Sequence, residues 1–261
     1  MGLIVLGSIA GSPGVTRLAV GLAAGWPEPA RERVLVEADA DGGRLGALLG
    51  VGVEPGLMEL AMAARTSGLT ATALLQRGSA RVGEWSVIPA PASSEQTASA
   101  LSHAAGALAN TIATDRAERV WIVDAGRLSV RSPALPFARL ADQVLLVTSG
   151  SFPELQLVAH RADALRATGC AVAVVVVEPT SWSAAEIAEF VGAEVLTVVP
   201  YVRVRDVRLS AMSSTAWRGW WRCVGDLAVL LAGGGHDGEV ASLDPVGAVV
   251  SQRNDDGREL P

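Results

Sequence analysis

Short runs of consecutive apolar residues alternate along this chain with stretches where apolar positions recur every three or four residues. The runs predict strands at 3–7, 33–37, 84–88, 119–124, 143–148, 171–177 and 195–199. The segment Ala-Val-Ala-Val-Val-Val-Val at 171–177 has no polar face, as expected of a strand covered on both sides. The periodic stretches predict helices over 16–24, 56–65, 70–76, 93–114, 153–167, 183–191 and 214–232. Ser183 with Glu186 three residues later reads as a capping box at the start of one of them. Trp217, Trp220, Trp221, Val224, Ala228 and Leu231 draw an apolar stripe along the last helix. Packing against the sheet, a dimer surface or a membrane-surface face would each account for it. The alternation of strand and helix predicts an α/β fold of three α/β/α layers around a mostly parallel, twisted sheet of about seven or eight strands. Residues 1–232 read as one domain. Residues 233–261, rich in Gly and Asp, read as a disordered acidic tail.

Composition narrows the picture. Of 261 residues, half are hydrophobic and 18% charged, with a formal net charge of −6. That balance supports a buried core and argues against a general nucleic-acid binder. The small cluster Arg203, Arg205 and Arg208 reads as a solvated face, with DNA or an acidic partner as the other reading. Cys170 and Cys223 match no metal-binding spacing and are expected to be reduced thiols. His103, His160 and His236 stand alone. The N-terminal apolar run is interrupted by Gly7, Ser8, Gly11, Pro13 and Gly14, unlike a signal peptide. No apolar stretch reaches the roughly 18 residues of a membrane span, and a cytoplasmic protein is expected.

Three segments at the ends of predicted strands carry the candidate chemistry, because ligands of open α/β sheets bind at that edge. The first is Gly11-Ser12-Pro13-Gly14-Val15-Thr16, between an apolar strand and a helix. A glycine-rich turn there presents backbone N–H groups and a helix N-terminus to an anion. In such phosphate-binding loops a lysine before the Thr reaches the β- and γ-phosphates, and the Thr hydroxyl binds Mg²⁺. Here that position is Val15, and the whole chain contains no lysine. A bias against lysine would leave arginine where a cation is needed, and Val15 is uncharged. The second segment is Val34–Gly43 (VLVEADADGG), carrying Glu37, Asp39 and Asp41. The third is Val120-Trp121-Ile122-Val123-Asp124, an apolar strand ending in a carboxylate.

Together with Leu18–Ala23 after the loop, Trp85–Ala90 (WSVIPA) and Val195–Tyr201 (VLTVVPY), these segments resemble the ParA/MinD group of P-loop ATPases over residues 2–232. The resemblance implies a phosphate site at Gly11, Ser12, Pro13, Gly14, Val15, Thr16 and Arg17. It implies Mg²⁺ contacts from Thr16, Asp124 and Asp39, with Asp39 a remnant of the carboxylate that orients the attacking water. The two lysines of the family loop fall on Ala10 and Val15, the family's first Asp on Glu37, and the Thr-Pro after its Walker B Asp on Ala125-Gly126. The family's base-reading Asn has no counterpart at Val177-Glu178-Pro179. Arg17 lies about 100° further round the helix than Thr16 and is expected to point away from the phosphates. Arg44, Arg127 or a partner's arginine are other sources of charge. Two readings follow. One is a non-hydrolysing regulatory, positioning or scaffolding protein, homodimeric, acting through an unidentified protein partner and lacking a membrane-targeting helix. The other is a slow ATPase, or an ATP-binding localiser for division, chromosome partitioning, pilus or secretion machinery, that uses an arginine. The cofactor is ATP with Mg²⁺ in the second reading, and ATP with Mg²⁺ or none in the first.

Overall fold

The computed structural model describes residues 1–11, 14–65, 69–202 and 217–233. Among these residues the sheet has eight strands: β1 (Leu3–Ser8), β2 (Glu32–Glu37), β3 (Ala80–Val82), β4 (Trp85–Ile88), β5 (Arg119–Arg127), β6 (Gln143–Ser149), β7 (Val172–Val177) and β8 (Val195–Val199). They are ordered β3-β4-β2-β5-β1-β6-β7-β8. All pairings are parallel except the edge hairpin of β3 and β4. The α/β expectation and its seven strands are borne out; β3 is additional. Three residues of Ala-Arg-Val carry too little alternation to be seen as a strand, and the turn at Gly83 is what pairs them to β4.

The pleat divides the core in two. Leu3 and Val5 of β1, Trp121 and Val123 of β5, and Val144 and Leu146 of β6 pack on one side. There they meet helices α3 (Leu57–Ala63), α4 (Ala71–Gly78), α5 (Ser94–Asp115), α6 (Leu135–Leu140), α7 (Phe152–Arg166) and α8 (Ala184–Val191). Ile4, Leu6, Ile122, Leu145 and Val147 point to the other side. That layer holds α1 (Val15–Gly25), α2 (Leu45–Leu49) and α9 (Arg218–Ala232). Consecutive apolar residues are therefore all buried, each on its own face. The helices α2 and α6 are further additions: five and six residues long, they are too short to show a helical period.

The tryptophan stripe of α9 is internal. Trp217, Trp220, Trp221, Val224, Ala228 and Leu231 are all buried, and Trp220 comes so close to α1 that a Cβ on Gly21 would lie 2.5 Å from its ring. Packing accounts for that stripe. Among the described residues no helix is long and apolar enough to cross a membrane, and Cys170 and Cys223 are both free thiols. The tail expected beyond residue 233 and the cluster Arg203, Arg205 and Arg208 lie outside the described residues.

Candidate functional site

The chain leaves β1 in one direction toward β2 and β5 and later returns on the other side to β6, so the topology reverses at β1. A crevice opens at such a switch point. Here a cavity of about 440 Å³ is lined by the loop after β1, the ends of β2 and β5, and α2.

The floor is the start of α1. Gly14 caps the helix with φ 100°, a left-handed turn that suits glycine, and Leu18 N–H donates to its carbonyl at 3.0 Å. Val15 and Thr16, the first two helical residues, line the cavity with Gly11 and Gly14. Ser12 and Pro13 lie outside the described residues. Val15 is only 6% exposed and packs among Leu18, Ala19 and the strand residues beneath α1. The position that the resemblance gives to a lysine thus holds an apolar side chain joined to the core.

One wall is acidic. Glu37, at the end of β2, is 1% exposed. Its Oε1 accepts from the backbone N–H groups of Arg44 and Leu45, capping α2, and its Oε2 accepts from Ala90 N–H at 2.9 Å. A strand-end carboxylate that could simply have met solvent instead ties together three segments. Burial pushes its pKa up, with the three N–H groups opposing. Asp39 follows in the cavity wall, and its Oδ1 accepts from Asp41 N–H at 3.0 Å. Its carboxyl lies against Gly126, where a Cβ would sit 2.0 Å from Asp39 Cγ and where φ is +56°. Only glycine meets both demands. Burial, chiefly, raises the Asp39 pKa.

Asp124 is fully buried. Its Oδ1 accepts from Gly126 N–H at 3.1 Å, while Oδ2 has no hydrogen-bond partner among the described residues. Burial pushes its pKa up to about 7; the Thr16 hydroxyl beside it and the Gly126 N–H pull the other way, and Glu37 and Asp39 add to the rise. Thr16 stands near enough to favour the carboxylate without completing a bond to Oδ2. Asp124 is also not the end of its strand. β5 continues to Arg127, with a register shift opposite Leu6–Ser8.

That extension delivers a cation. Arg127 pairs in register with Ser8, and its Nη2 lies 3.1 Å from where a Cβ on Gly11 would be. Its Nε is 3.6 Å from Asp41 Oδ2. Arg17 lines the cavity as well, rather than standing clear of it, and its Nη1 donates to the Val202 carbonyl at 3.4 Å. Arg44 lines the opposite wall. The strand read as ending at Asp124 gave no reason to place Arg127 over the loop; the Ala125-Gly126 pair after the carboxylate was the available signal.

No protein-family model matches the chain, and no curated protein matches it. Solved structures do. Cell division ATPase MinD of Pyrococcus furiosus superposes with a TM-score of 0.71 at 18% identity, covering 89% of this chain and 99% of that one. The fold is that of the ParA/MinD P-loop ATPases. A ParA family ATPase from Chlorobium tepidum TLS aligns with a TM-score of 0.67 at 18% identity, covering 86% and 98%. MinD of Pyrococcus horikoshii OT3, complexed with Mg-ADP, gives 0.70 at 17%, covering 88% and 96%.

Within a ParA/MinD-like fold, the donor set can be judged against Mg²⁺. The cation prefers hard oxygen ligands and retains water. A buried, unpartnered carboxylate oxygen on Asp124 and the adjacent Thr16 hydroxyl suit it. Among the described residues no group of three or more His, Cys, Asp or Glu is arranged to hold an ion alone. An ion here would take its remaining oxygens from water or from a ligand.

Proposed function

We propose that this chain is a ParA/MinD-like positioning or scaffolding protein that holds Mg²⁺-nucleotide at the cleft without turning it over efficiently. Its output is then a dimer and a protein partner, as a fold that closes around nucleotide keeps its dimer face when hydrolysis is lost. One observation carries the reading: Val15, at the position of the phosphate-loop lysine, is packed into the core beneath α1, while Thr16 and Asp39 line the cavity and Asp124 lies buried beside Thr16. Loss of one preorganised charge where phosphoryl transfer develops negative charge lowers a rate by about 10²–10³. Ala10 removes a second.

In this reading Thr16 and Asp124 would hold Mg²⁺, which would supply positive charge against a bound polyphosphate. The α1 N-terminus from Gly14 presents N–H groups to the same phosphates. Asp39, held by Asp41 N–H and seated on Gly126, is placed to orient a water. The crowding of Glu37 and Asp124, both buried, with Asp39 beside them also makes an unneutralised site unfavourable, so Mg²⁺ and nucleotide are expected to enter together.

A second reading, a slow ATPase, is favoured by Arg127 against Gly11. Calorimetric titration with MgATP, joined to light scattering, tests the main proposal. Heat of binding and a dimer in the presence of nucleotide are expected. No heat at millimolar MgATP, with a monomer throughout, would overturn it.

A further inference from the structure

The cavity wall carries three arginines, and they are not equivalent. Arg17 is committed to the Val202 carbonyl. Arg44 starts the α2 wall, where its own N–H is held by Glu37, and its guanidinium makes no ion pair or hydrogen bond among the described residues; it only attracts Asp39 through space. Of the three, Arg127 is the one that reaches Gly11, its Nη2 3.1 Å from where a Cβ on that glycine would be. Its backbone is pinned, since the strand extension pairs Arg127 with Ser8 and Leu128 N–H donates to the Ser8 carbonyl at 2.9 Å. Its side chain is mostly exposed.

Asp41 holds that side chain only loosely. The Nε–Oδ2 separation is 3.6 Å and the two side chains are 65% and 59% exposed. A long, solvated pair of this kind contributes little and is easily exchanged for a better one. A phosphate in the loop would offer charge-assisted bonds to the planar fork of the guanidinium, for which its geometry is suited.

We infer that Arg127 replaces the absent loop lysine as the cation for the polyphosphate of a nucleoside di- or triphosphate, and that Asp41 parks it when the cleft lacks that ligand. The inference rests on the nucleotide-holding part of the proposal above and names the residue that makes it work. Charge reaches the phosphates from the end of β5 instead of from the start of α1. The α1 position is thereby released to pack as Val15.

The probe is a fluorescent ATP analogue with Mg²⁺, titrated into the full chain and its variants at fixed salt. Arg127→Ala is expected to weaken binding about tenfold or more, and Arg127→Lys to recover part of it. Asp41→Asn is expected to tighten binding several-fold in the native background, with a smaller gain in Arg127→Ala, because only an existing Arg127 can be released. This coupling separates parking from simple removal of a negative charge. Arg44→Ala, on the other wall, is expected to change affinity less than Arg127→Ala. Unaltered binding by Arg127→Ala, or an Asp41→Asn gain of equal size in both backgrounds, overturns the inference while leaving nucleotide binding intact. No binding by the unmodified protein at millimolar analogue removes the nucleotide reading itself. All the side chains changed are surface-facing, and circular dichroism of each variant confirms that the comparison is between folded proteins.

Discussion

On the β2–β5 side of the cleft, Glu37 and Asp124 are buried and Asp39 half-buried, all three hydrogen-bonded to backbone and crowded together. On the α1 side, the corresponding position for positive charge is Val15, packed among aliphatic residues. The acidic wall retains an arrangement that is costly in an isolated protein: a fully buried carboxylate with one oxygen unpartnered. Such a group is unfavourable unless something neutralises it. The α1 wall has gone the other way and gained packing at the expense of charge. Selection for stability alone would not leave Asp124 as it is, and the difference between the walls is what the proposed ligand site requires.

The largest expected effect comes from removing the buried charge. Asp124 ionises near pH 7 in the folded protein, against 3.8 for the ordinary group. Between those values the folded protein keeps a proton that the unfolded chain has released. Stability therefore falls as pH rises from about 4 to about 7, then levels off, a total of up to about 4 kcal/mol. Asp124→Asn should remove the Asp124 share of that slope, leaving the smaller contributions of Glu37 and Asp39. It is expected to be stabilising at pH 8 in denaturant titrations without Mg²⁺, and near neutral at pH 4. Equal stability of variant and native protein at pH 8 would break the contrast between the walls.

Glu37 sharpens the contrast because it is a buried acid that is fully used. Glu37→Ala strips hydrogen bonds from the N–H groups of Arg44, Leu45 and Ala90 and is expected to destabilise by about 3 kcal/mol, measured by urea unfolding. The two carboxylates should thus respond in opposite directions.

The α1 wall is tested by restoring its cation. Val15→Lys is expected to raise phosphate release from MgATP by about 10² over the native chain and to tighten binding, with some loss of thermal stability from the disturbed packing. A rate unchanged by the lysine would mean that the charge at this position is not what limits the site.

The smallest effect is expected at Arg127. Arg127→Ala should alter unfolding free energy by less than about 0.5 kcal/mol, since the side chain is exposed and its ion pair long. A larger loss would assign it a structural role.

How much of this was legible follows from the residues. Parallel strands buried on both faces announce themselves as apolar runs, so β1, β2 and β4–β8 could be read directly. The short elements β3, α2 and α6 carry no period, and tertiary contacts make them. At the site, Asp124, Asp39 and the α1 start could be placed because strand ends converge on one edge. The role of Glu37 could not, because it depends on the later segment at Ala90 folding back beside α2. Nor could the position of Arg127, which depends on a register shift between β1 and β5 that leaves no pattern in the chain.

The central claim is that the cleft keeps its acidic, Mg²⁺-compatible wall but lacks, at the start of α1, the lysine whose charge drives phosphoryl transfer. Steady-state phosphate release at saturating MgATP, measured beside Asp124→Ala, tests it most directly. The two proteins are expected to release phosphate at the same near-background rate. Turnover by the native chain well above that of Asp124→Ala would contradict it.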